Sequence, residues 1–592
     1  MKRRQLPSWI ALVLVPIVLI AACRKTEPTL DDRAPQIDTP PADANPGPPI
    51  FTDVTANCGI AFTYRNGEEA DQLTILESLG GGVALIDYDQ DGLLDIFVTG
   101  GGYFAGVDGK EIRGHPNRLY KNLGGWKFKD VTAEVGLPTE GTFYSHGVAV
   151  GDYDNDGWPD LLVTGYGRLA LYRNDHGRFT DVTESVGLRD QRPLHWSTGA
   201  AWADLDGDGR ADLFICHYVD WSFANHPPCP GGIGPRHVDV CSPTRFRPLA
   251  QQLFLSNANG TFRDATEAAG IKPGKGLGVV IVDVDHDGRP DIYVANDAYD
   301  NHLYLNRGGG HFEEVGLSRG VALSEQGVSA GSMGVDAADY DGSGHFSLFV
   351  TNFQQEPHDL YQNDGRGQFR HASRRAGITA LGLNFVGFGT GFIDYDRDGA
   401  EDLFISNGHA YRYPSPPATL AQKAVLLHNP ARQPGGLSEV RFQNVSEQAG
   451  EYFRSVHRGR GVAFGDLDND GRVDMVVSHC NEPVAILRNV DTTPNHWLGV
   501  RLVGQPYRDA VGAELTLEVG GRKLTRAIKG GGGYLSANDS RVMFGLGSAP
   551  RADRLTVRWP SGRVQTWDGS ALGADRYVHL REGEPGVAHH DR

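Results

Sequence analysis

The stretch Gly82-Val-Ala-Leu-Ile-Asp87-Tyr-Asp89-Gln-Asp91-Gly92-Leu-Leu-Asp95-Ile-Phe-Val98 decides the fold, because the chain repeats its pattern seven times. In each copy an apolar run leads into a short acidic loop, and a second apolar run follows the loop. A glycine stands five residues before the first aspartate of every copy, at Gly82, Gly147, Gly199, Gly278, Gly334, Gly389 and Gly461. Seven copies in one register indicate a repeat architecture.

Six of the acidic loops are complete, with aspartates at positions 1, 3, 5 and 9 and a glycine at position 6. Carboxylates at this spacing in a tight turn point at one spot, and the glycine lets the turn close, which favours an all-oxygen Ca²⁺ site. The backbone carbonyl at position 7 is the expected remaining protein ligand. The predicted ligands in these loops are Asp87, Asp89, Asp91, Leu93, Asp95; Asp152, Asp154, Asp156, Trp158, Asp160; Asp204, Asp206, Asp208, Arg210, Asp212; Asp283, Asp285, Asp287, Arg289, Asp291; Asp394, Asp396, Asp398, Ala400, Asp402; and Asp466, Asp468, Asp470, Arg472, Asp474.

The fifth loop departs from this pattern. It keeps Asp339 and Asp341 but has Ser343 and Ser347 at positions 5 and 9, so we expect it to bind Ca²⁺ weakly or not at all, for six or seven sites in total. An EF-hand would need a glutamate at position 12 and flanking helices. Position 12 is apolar in all seven copies, so the loops join strand to strand. For a single loop the alternative is a solvated acidic turn.

Two more repeated phrases complete the unit. One has the form Phe-x-Asp-Val-Thr and begins at Phe51, Phe128, Phe179, Phe262, Phe312, Phe369 and Phe442. The other has the form Leu-Tyr-x-Asn and begins at Leu119, Leu171, Leu253, Leu303, Leu360 and Ile486. Four strands per unit predict an all-β, seven-bladed β-propeller over residues 51–490. Because the first Phe phrase precedes the first acidic loop, residues 51–55 should close blade seven as its outer strand.

A different pattern begins near residue 494. Alternating stretches such as Gly512-Ala-Glu-Leu-Thr-Leu-Glu-Val predict a separate small β domain over residues 494–583, with a tail at 584–592.

The N-terminus has the composition of an export signal. Lys2-Arg3-Arg4 precedes an apolar run from Trp9 to Ile20, and Ala21-Ala22-Cys23 follows. This pattern predicts a lipoprotein signal peptide at residues 1–22, lipidation of Cys23 and a Pro-rich, disordered tether at residues 23–50. The expected location is the outer membrane or cell surface, and the alternative is an ordinary signal peptide and a periplasmic or secreted protein.

Charge and cysteines add further expectations. The net charge of −18 disfavours nucleic acid as a partner, but 26 of the 74 acidic residues lie in the seven loops, so most of the acidity serves metal binding. Cys229 and Cys241 flank a Pro/Gly-rich insertion and are predicted to form a disulfide. Cys216 is predicted to be a buried free thiol, and closure of blade seven predicts a Cys58–Cys480 disulfide.

The repeats resemble FG-GAP/VCBS repeats, the units of the integrin α-subunit propeller. The C-terminal stretches Asn495-His-Trp-Leu, Gly532-Gly-Tyr-Leu-Ser536, Phe544-Gly-Leu-Gly547 and Val557-Arg-Trp-Pro-Ser-Gly562 resemble an ASPIC/UnbV domain. The combination is similar to the cartilage acidic protein family and its bacterial relatives. The resemblance implies an extracellular, calcium-bound propeller used in adhesion or recognition, and it implies no particular reaction.

Catalytic motifs are weak in this sequence. Gly327-Val-Ser329-Ala-Gly331 has the spacing of a nucleophile elbow but leads into a strand, where the elbow requires a helix. Gly530-Gly-Gly-Gly533 is followed by no helix start, and it indicates a loop in which backbones approach closely. H-E-x-x-H and C-x-x-C-H are absent from the sequence.

The face opposite the acidic loops is the predicted recognition surface. The second strand of each unit ends there, as do the insertions 217–250 and 407–437. The leading hypothesis is a lipid-anchored propeller that binds a protein or glycan ligand, and the alternative is an enzyme or accessory factor with a site at the mouth of the channel. Simple capping of strand ends is the structural alternative for the candidate ligand-face residues Asn296, Asp297, Asn352, Asn407, His409, His479 and Asn481.

Overall fold

The computed structural model describes residues 48–188, 196–231, 233, 237–430, 440–506 and 508–589, and these are mostly β-strands and turns. The predicted signal peptide, Cys23 and nearly all of the predicted tether lie outside the described residues. Among the described residues, no helix is both long and apolar enough to cross a bilayer. The prediction of an all-β propeller is confirmed.

The described residues between 51 and 490 form seven sheets, and in each of them four antiparallel strands of this region lie in the same order. We number them 1 to 7 and give their strands from the inner to the outer edge. They are Val83–Ile86, Asp95–Val98, Arg118–Asn122, Phe128–Asp130 (sheet 1); Ser145–Gly151, Asp160–Gly165, Ala170–Asn174, Phe179–Asp181 (2); Ser197–Ala203, Asp212–His217, Gln252–Ser256, Phe262–Asp264 (3); Gly276–Val282, Asp291–Asn296, His302–Asn306, Phe312–Glu314 (4); Val335–Ala338, Ser347–Val350, Asp359–Asn363, Phe369–His371 (5); Gly387–Ile393, Asp402–Asn407, Val425–His428, Gln443–Asn444 (6); and Gly459–Gly465, Asp474–His479, Ala485–Asn489, Phe51–Asp53 (7).

The inner strands converge so closely that the glycine before each acidic loop has no room for a side chain. A Cβ atom at Gly334 would lie 2.1 Å from the carbonyl oxygen of Phe388 in sheet 6, and one at Gly461 would lie 2.4 Å from that of Gly81, which leads into sheet 1. Each of the seven glycines meets the inner strand of the following sheet in this way. Contacts between inner strands run in cyclic order from sheet 1 to sheet 7 and back to sheet 1. The repeated glycine is therefore a requirement of the ring.

The N-terminal strand completes sheet 7, as the sequence predicted. Phe51 pairs with Asn489 and Asp53 with Leu487, so the two ends of the propeller share one sheet. A repeated asparagine also joins neighbouring sheets. The side-chain amide of Asn122 donates to the backbone carbonyl of Leu467, in the loop of sheet 7, at 2.9 Å. The equivalent asparagines at 174, 306, 363, 429 and 489 make the same bond to the preceding loop.

Residues 494–589, which we call the cap, form two further sheets, and the last strand of one of them lies in the stretch predicted as a tail. Their strands are Val542–Gly547, His496–Val503, Arg576–Arg581 and Ala588–His589 in one sheet, and Arg522–Ala527, Glu514–Val519, Arg554–Arg558 and Val564–Asp568 in the other. Shorter elements complete the fold. They are the pairs Gly102–Ala105 with Glu111–Gly114, Cys229–Pro230 with Val238–Asp239 and Leu249–Ala250 with Pro273–Gly274; the α-helices Gly316–Arg319, Leu381–Asn384, Ser446–Ala449, Glu451–Arg454 and Gly569–Leu572; and the 3₁₀ turns Thr55–Asn57, Glu68–Ala70, Ile75–Ser78, Phe223–Asn225 and Pro243–Arg245.

A segment of the cap, residues 529–538, enters the centre of the ring, and we call it the finger. Gly530–Gly531 adds a fifth strand to the inner edge of sheet 4. The finger also accepts hydrogen bonds from the backbone amides of Leu85, Val148 and Val335 in sheets 1, 2 and 5 at 3.1 Å. Tyr534 is buried near its tip and packs on Phe388, with ring centroids 5.1 Å apart. The finger therefore pairs inner sheet edges that would otherwise stay open.

The cysteines follow the expectations in part. Cys229 and Cys241 form a disulfide with Cα atoms 5.2 Å apart, and Cys216 is a buried free thiol. The prediction of a Cys58–Cys480 disulfide is wrong, since both are buried free thiols. The Cys58 thiol faces the carbonyl of Thr55 at 3.2 Å, while Cys480 leaves its strand beside Tyr64, so sharing a sheet does not bring the two sulfurs together.

Candidate metal loops and the domain that covers them

The acidic loops share one hydrogen-bond pattern. In all seven, the glycine amide at position 6 donates to Oδ2 of the position-1 aspartate at 2.7–3.3 Å. This bond closes the turn and uses one carboxylate oxygen. The other oxygen, Oδ1, is buried without a partner in Asp87, Asp152 and Asp394, and it accepts hydrogen bonds from within the loop in Asp204, Asp283, Asp339 and Asp466.

The aspartate at position 9 positions the strands around its loop. Asp95 accepts from the amide of Tyr88 at 3.2 Å through Oδ2 and from the amide of Asn122 at 2.7 Å through Oδ1. The same two bonds recur at the other complete loops, with Ser256 in place of the asparagine in sheet 3. Each oxygen retains a second lone pair, so these bonds leave the carboxylate able to bind a cation.

Several carboxylate oxygens in the loops are buried and have no hydrogen-bond partner. They are Oδ1 of Asp87, Asp89, Asp152, Asp394 and Asp468. A buried acceptor without a partner costs about 1–3 kcal/mol, and more when it carries charge. In three loops the carboxylates at positions 1, 3 and 9 lie within 4.8 Å of one another, in the sets Asp87, Asp89, Asp95; Asp152, Asp154, Asp160; and Asp204, Asp206, Asp212. These oxygens form a concentrated, under-satisfied set of the hard ligands that Ca²⁺ prefers.

Burial and mutual repulsion shift the pKa values of these groups upward. Burial raises the pKa of Asp95 to about 8 and that of Asp160 to about 9, and the neighbouring loop aspartates add to both shifts. The pKa of Asp152 rises to about 7 for the same reasons. At neutral pH such a loop therefore needs either protons or a cation to offset its charge.

The position-5 aspartates lie nearer the rim, where basic side chains reach them. The guanidinium groups of Arg210, Arg289 and Arg472 contact the aspartates at 208, 287 and 470. Lys121 contacts Asp89 and also lies 2.9 Å from Asp91. These three arginines stand at position 7, so each of their loops offers a backbone carbonyl and a partly exposed cation from the same residue.

The fifth loop keeps the shape of the others with weaker ligands. Ser347 replaces the position-9 aspartate, and its hydroxyl accepts the amide of Asn363 at 3.1 Å. Ser343 lies 3.4 Å from Asp339, and Gln362 donates to Asp341. The loop geometry is retained with two carboxylates in place of four, which fits the expectation of weak binding.

The sequence analysis missed a residue in the sixth loop. His428 donates to Asp402 at 3.0 Å and lies 3.9 Å from Asp396, and its hydrogen bonds and charge contacts with these aspartates outweigh burial and raise its pKa to about 9. The residue belongs to a copy of the Leu-Tyr-x-Asn phrase written Leu426-Leu-His-Asn429, in which leucine replaces tyrosine. The leucine and asparagine that the phrase keeps at its first and fourth positions are the signal that could have revealed it.

The cap covers the loops, a placement that the sequence did not predict. Tyr577 donates to Oδ2 of Asp466 at 2.6 Å, and Arg558 donates to Oδ2 of Asp283 at 2.9 Å. The Gly545 amide donates to Oδ2 of Asp394 at 3.1 Å. Each of these contacts uses the oxygen that also closes the turn and leaves Oδ1 to the loop interior. A cavity of about 330 Å³ lies between cap and propeller, lined by loop aspartates and by cap arginines at 501, 508 and 526.

Three of the candidate ligand-face residues cap strand ends. Asn296, Asn352, Asn407, His409 and His479 are buried, and only Asp297 and Asn481 are partly exposed. The Asn352 amide donates to the carbonyl of Pro357 at 2.7 Å, and the Asn407 amide donates to that of Lys423 at 2.9 Å. The structure therefore supports the capping alternative for the three asparagines, Asn296, Asn352 and Asn407.

Comparisons with known families match both parts of the chain. The FG-GAP-like repeat family matches residues 87–163, 152–215, 240–294 and 283–350, and the ASPIC and UnbV family matches residues 504–586. This chain carries FG-GAP repeats and an ASPIC and UnbV domain. Three of the FG-GAP matches begin at the first aspartate of an acidic loop and end in the strand after the next loop, so each spans one repeat period and includes two loops.

The chain is also similar in sequence to Cartilage acidic protein 1, over a range that extends beyond the matched FG-GAP repeats. The chain is 26% identical to that protein from Xenopus tropicalis over 516 residues, covering 82% of this chain and 71% of the relative. It is 26% identical to that from Homo sapiens over 539 residues, covering 87% and 73%. The chain is thus related to Cartilage acidic protein 1 over most of its length.

Solved structures give only a partial likeness. An Agrocybe aegerita lectin that recognises non-reducing terminal N-acetylglucosamine covers 68% of this chain with 86% of its own, at 16% identity and a TM-score of 0.37. YCF48 bound to D1 peptide covers 70% with 93% of its own, at 8% identity and a TM-score of 0.37. Likenesses at this level do not bear on function.

Proposed function

We propose that this protein is an exported, Ca²⁺-stabilised propeller that binds a protein or glycan ligand with the face opposite its acidic loops. The observation that carries the calcium part is the set of buried carboxylate oxygens without partners, at Asp87, Asp89, Asp152, Asp394 and Asp468. Six loops carry the full ligand pattern, and the carbonyl at position 7 completes each set. Ca²⁺ bound there offsets the negative charge of the crowded carboxylates, whose burial and mutual repulsion raise their pKa values.

The cap supports the choice of face for recognition. Because the cap rests on the loops and the finger fills the ring from that side, a large ligand has access to the propeller from the opposite side. The enzyme alternative placed its site at the mouth of the channel, and no contact among the described residues favours it.

Exposed apolar side chains on this face are the candidate contacts for a ligand. Among the described residues, six of the eight large exposed hydrophobics lie on connections that follow the second strand of a sheet or precede the first, and these connections belong to the face opposite the loops. They are Val107, Ile233, Leu317, Val328, Leu383 and Val456, and the other two are Leu123 and Val564. Single exposed apolar side chains are common on protein surfaces, so the choice of face rests on the position of the cap.

The test compares valines on the two sides of the molecule. A Val107→Ser, Val456→Ser double variant should lose capture of the ligand from native envelope extracts or from a glycan array. Val564→Ser, at an exposed valine of the cap, should retain capture. Equal capture by both variants would refute the proposed recognition surface. It would not affect the proposed Ca²⁺ sites.

Export and anchoring rest on the sequence of residues 1–23. Cys23→Ala should prevent incorporation of labelled fatty acid and release the protein from the membrane fraction. Unchanged labelling would refute the anchor without touching the propeller.

A further inference from the structure

A cluster of two histidines and a glutamate lies on sheet 7, on the side away from the acidic loops. It comprises His457, His479 and Glu482, and one potential ligand atom from each lies within 4.8 Å of the others. His457 precedes the inner strand of the sheet, His479 ends the second strand, and Glu482 follows in the turn. Three potential metal ligands, from the start of one strand and the end of its neighbour, therefore meet at one place.

The hydrogen bonds outside the cluster fix the tautomers of both imidazoles. His479 Nδ1 lies 2.6 Å from the carbonyl oxygen of Pro483, and His457 Nε2 lies 3.3 Å from that of Tyr452. A carbonyl oxygen only accepts, so both of these nitrogens carry hydrogen. The lone pairs of the neutral rings are then on His479 Nε2 and His457 Nδ1. This is the arrangement in which a backbone carbonyl orients a metal-binding histidine.

One of these two lone pairs is already used inside the cluster. His479 Nε2 accepts the hydroxyl of Tyr452 at 2.8 Å, whereas His457 Nδ1 lies 3.8 Å from Oε2 of Glu482, too far for a hydrogen bond. The His457 ring stacks on Tyr452 and His479, with ring centroids 4.3 and 5.0 Å apart. Binding one ion therefore requires the His457 ring to turn toward it and the Tyr452 hydroxyl to release His479 Nε2.

The backbone amide of Arg458 donates to Oε2 of Glu482 at 3.1 Å and holds this carboxylate beside the two histidines. The guanidinium of Arg458 is turned away and pairs with Glu68 at 2.9 Å.

We infer that His457, His479 and Glu482 form a binding site for a divalent transition-metal ion, with Zn²⁺ the best match. Two imidazoles and one carboxylate are a known zinc ligand set, and the hard-oxygen loops suit Ca²⁺ instead. The Tyr452 hydroxyl or a water molecule takes the fourth position. A bound ion would fasten helix Glu451–Arg454 and the turn at 480–483 to the sheet that holds both ends of the propeller.

The test uses the full chain with Ca²⁺ present in excess, so that the acidic loops are occupied. Zn²⁺ titrated against a chromophoric chelator should bind with one equivalent at this cluster, and Co²⁺ should give the visible absorption of a four-coordinate ion. Since loss of an orienting partner already costs about 10–100-fold in metal affinity, His457→Asn should weaken binding by at least about 100-fold. Glu482→Gln should weaken it by at least about tenfold.

These two residues are partly exposed, so their variants should fold even if a change at buried His479 does not. His176→Asn is the matched control, because this exposed histidine pairs with Asp175 away from the cluster. The inference is overturned if the wild type binds no Zn²⁺, or if His457→Asn binds it as tightly as His176→Asn does. Loss of Ca²⁺ binding at the loops would not affect this outcome.

Discussion

The finger offers the sharpest test of how cap and propeller are joined. Gly531 has φ +69°, and a Cβ atom there would lie 2.5 Å from the carbonyl oxygen of Val279 and 3.1 Å from Cβ of Ala201. A Gly531→Ala change therefore adds left-handed strain of about 1–2 kcal/mol and overpacking of about 1–3 kcal/mol. The expected loss in free energy of unfolding is about 2–5 kcal/mol.

Gly520→Ala is the matched control for this change. Gly520 lies in the cap hairpin with φ +56°, and a Cβ atom there would meet nothing within 4 Å. Its cost should be the backbone strain alone, about 1–2 kcal/mol. Urea denaturation followed by tryptophan fluorescence gives both values, and limited proteolysis of the finger reports whether it leaves the ring. If the two variants differ by less than about 0.5 kcal/mol, the finger is not tightly held and the reasoning fails.

The remaining predictions concern metal, charge and covalent links. Chelation of Ca²⁺ should lower the melting temperature and readdition should restore it, because each site filled at 100 times its Kd adds about 2.7 kcal/mol; an unchanged melting curve would contradict the calcium sites. Asp206→Asn should remove one Ca²⁺ equivalent in calorimetric titration, whereas Ser343→Ala should leave the count unchanged. Burial raises the pKa of Glu77 to about 8 in the folded protein. Its contribution to stability is therefore full below its ordinary pKa of 4.5 and is lost as pH rises to about 8, by up to about 1.4 kcal/mol per pH unit. Glu77→Gln should accordingly flatten the stability profile between pH 5 and 8, and an unchanged slope would rule out this carboxyl as its source. Cys229→Ser should destabilise the insertion by about 2–3 kcal/mol, as closure of a loop of this length predicts, measured by proteolysis of 217–250.

The sequence predicted those parts of the fold that repeat. Seven copies of one phrase revealed the strand order, and the surplus Phe51 phrase predicted the strand that closes sheet 7. The loop carboxylates were found for the same reason. Single-copy features were missed: His428 lies in a phrase that lacks its tyrosine, and the contacts of Tyr577 and Arg558 with the loops join segments that share no pattern.

The sequence predicted that the backbone at Gly530–Gly533 approaches another backbone closely, but it did not predict which one. Gly530–Gly533 indicated that two backbones meet, and they do, yet the sequence does not say that the other backbone is the inside of a ring. The cysteines show the same limit. Cys58 and Cys480 lie in the same part of the fold as expected, but the direction of each thiol depends on local turns that the strand pattern does not describe.

The strand Phe51–Asp53 also determines how the molecule responds to mechanical load. It is three residues long, and it is extended by bonds from the Val490 amide to Ile50 at 2.8 Å and from the Val54 amide to Ile486 at 2.9 Å. A pull on the preceding residues acts first on this short ladder at the periphery of the ring, and the glycine-lined centre is spared. Tension on the N-terminus would then peel one strand from sheet 7 while the other six sheets and the cap stay assembled.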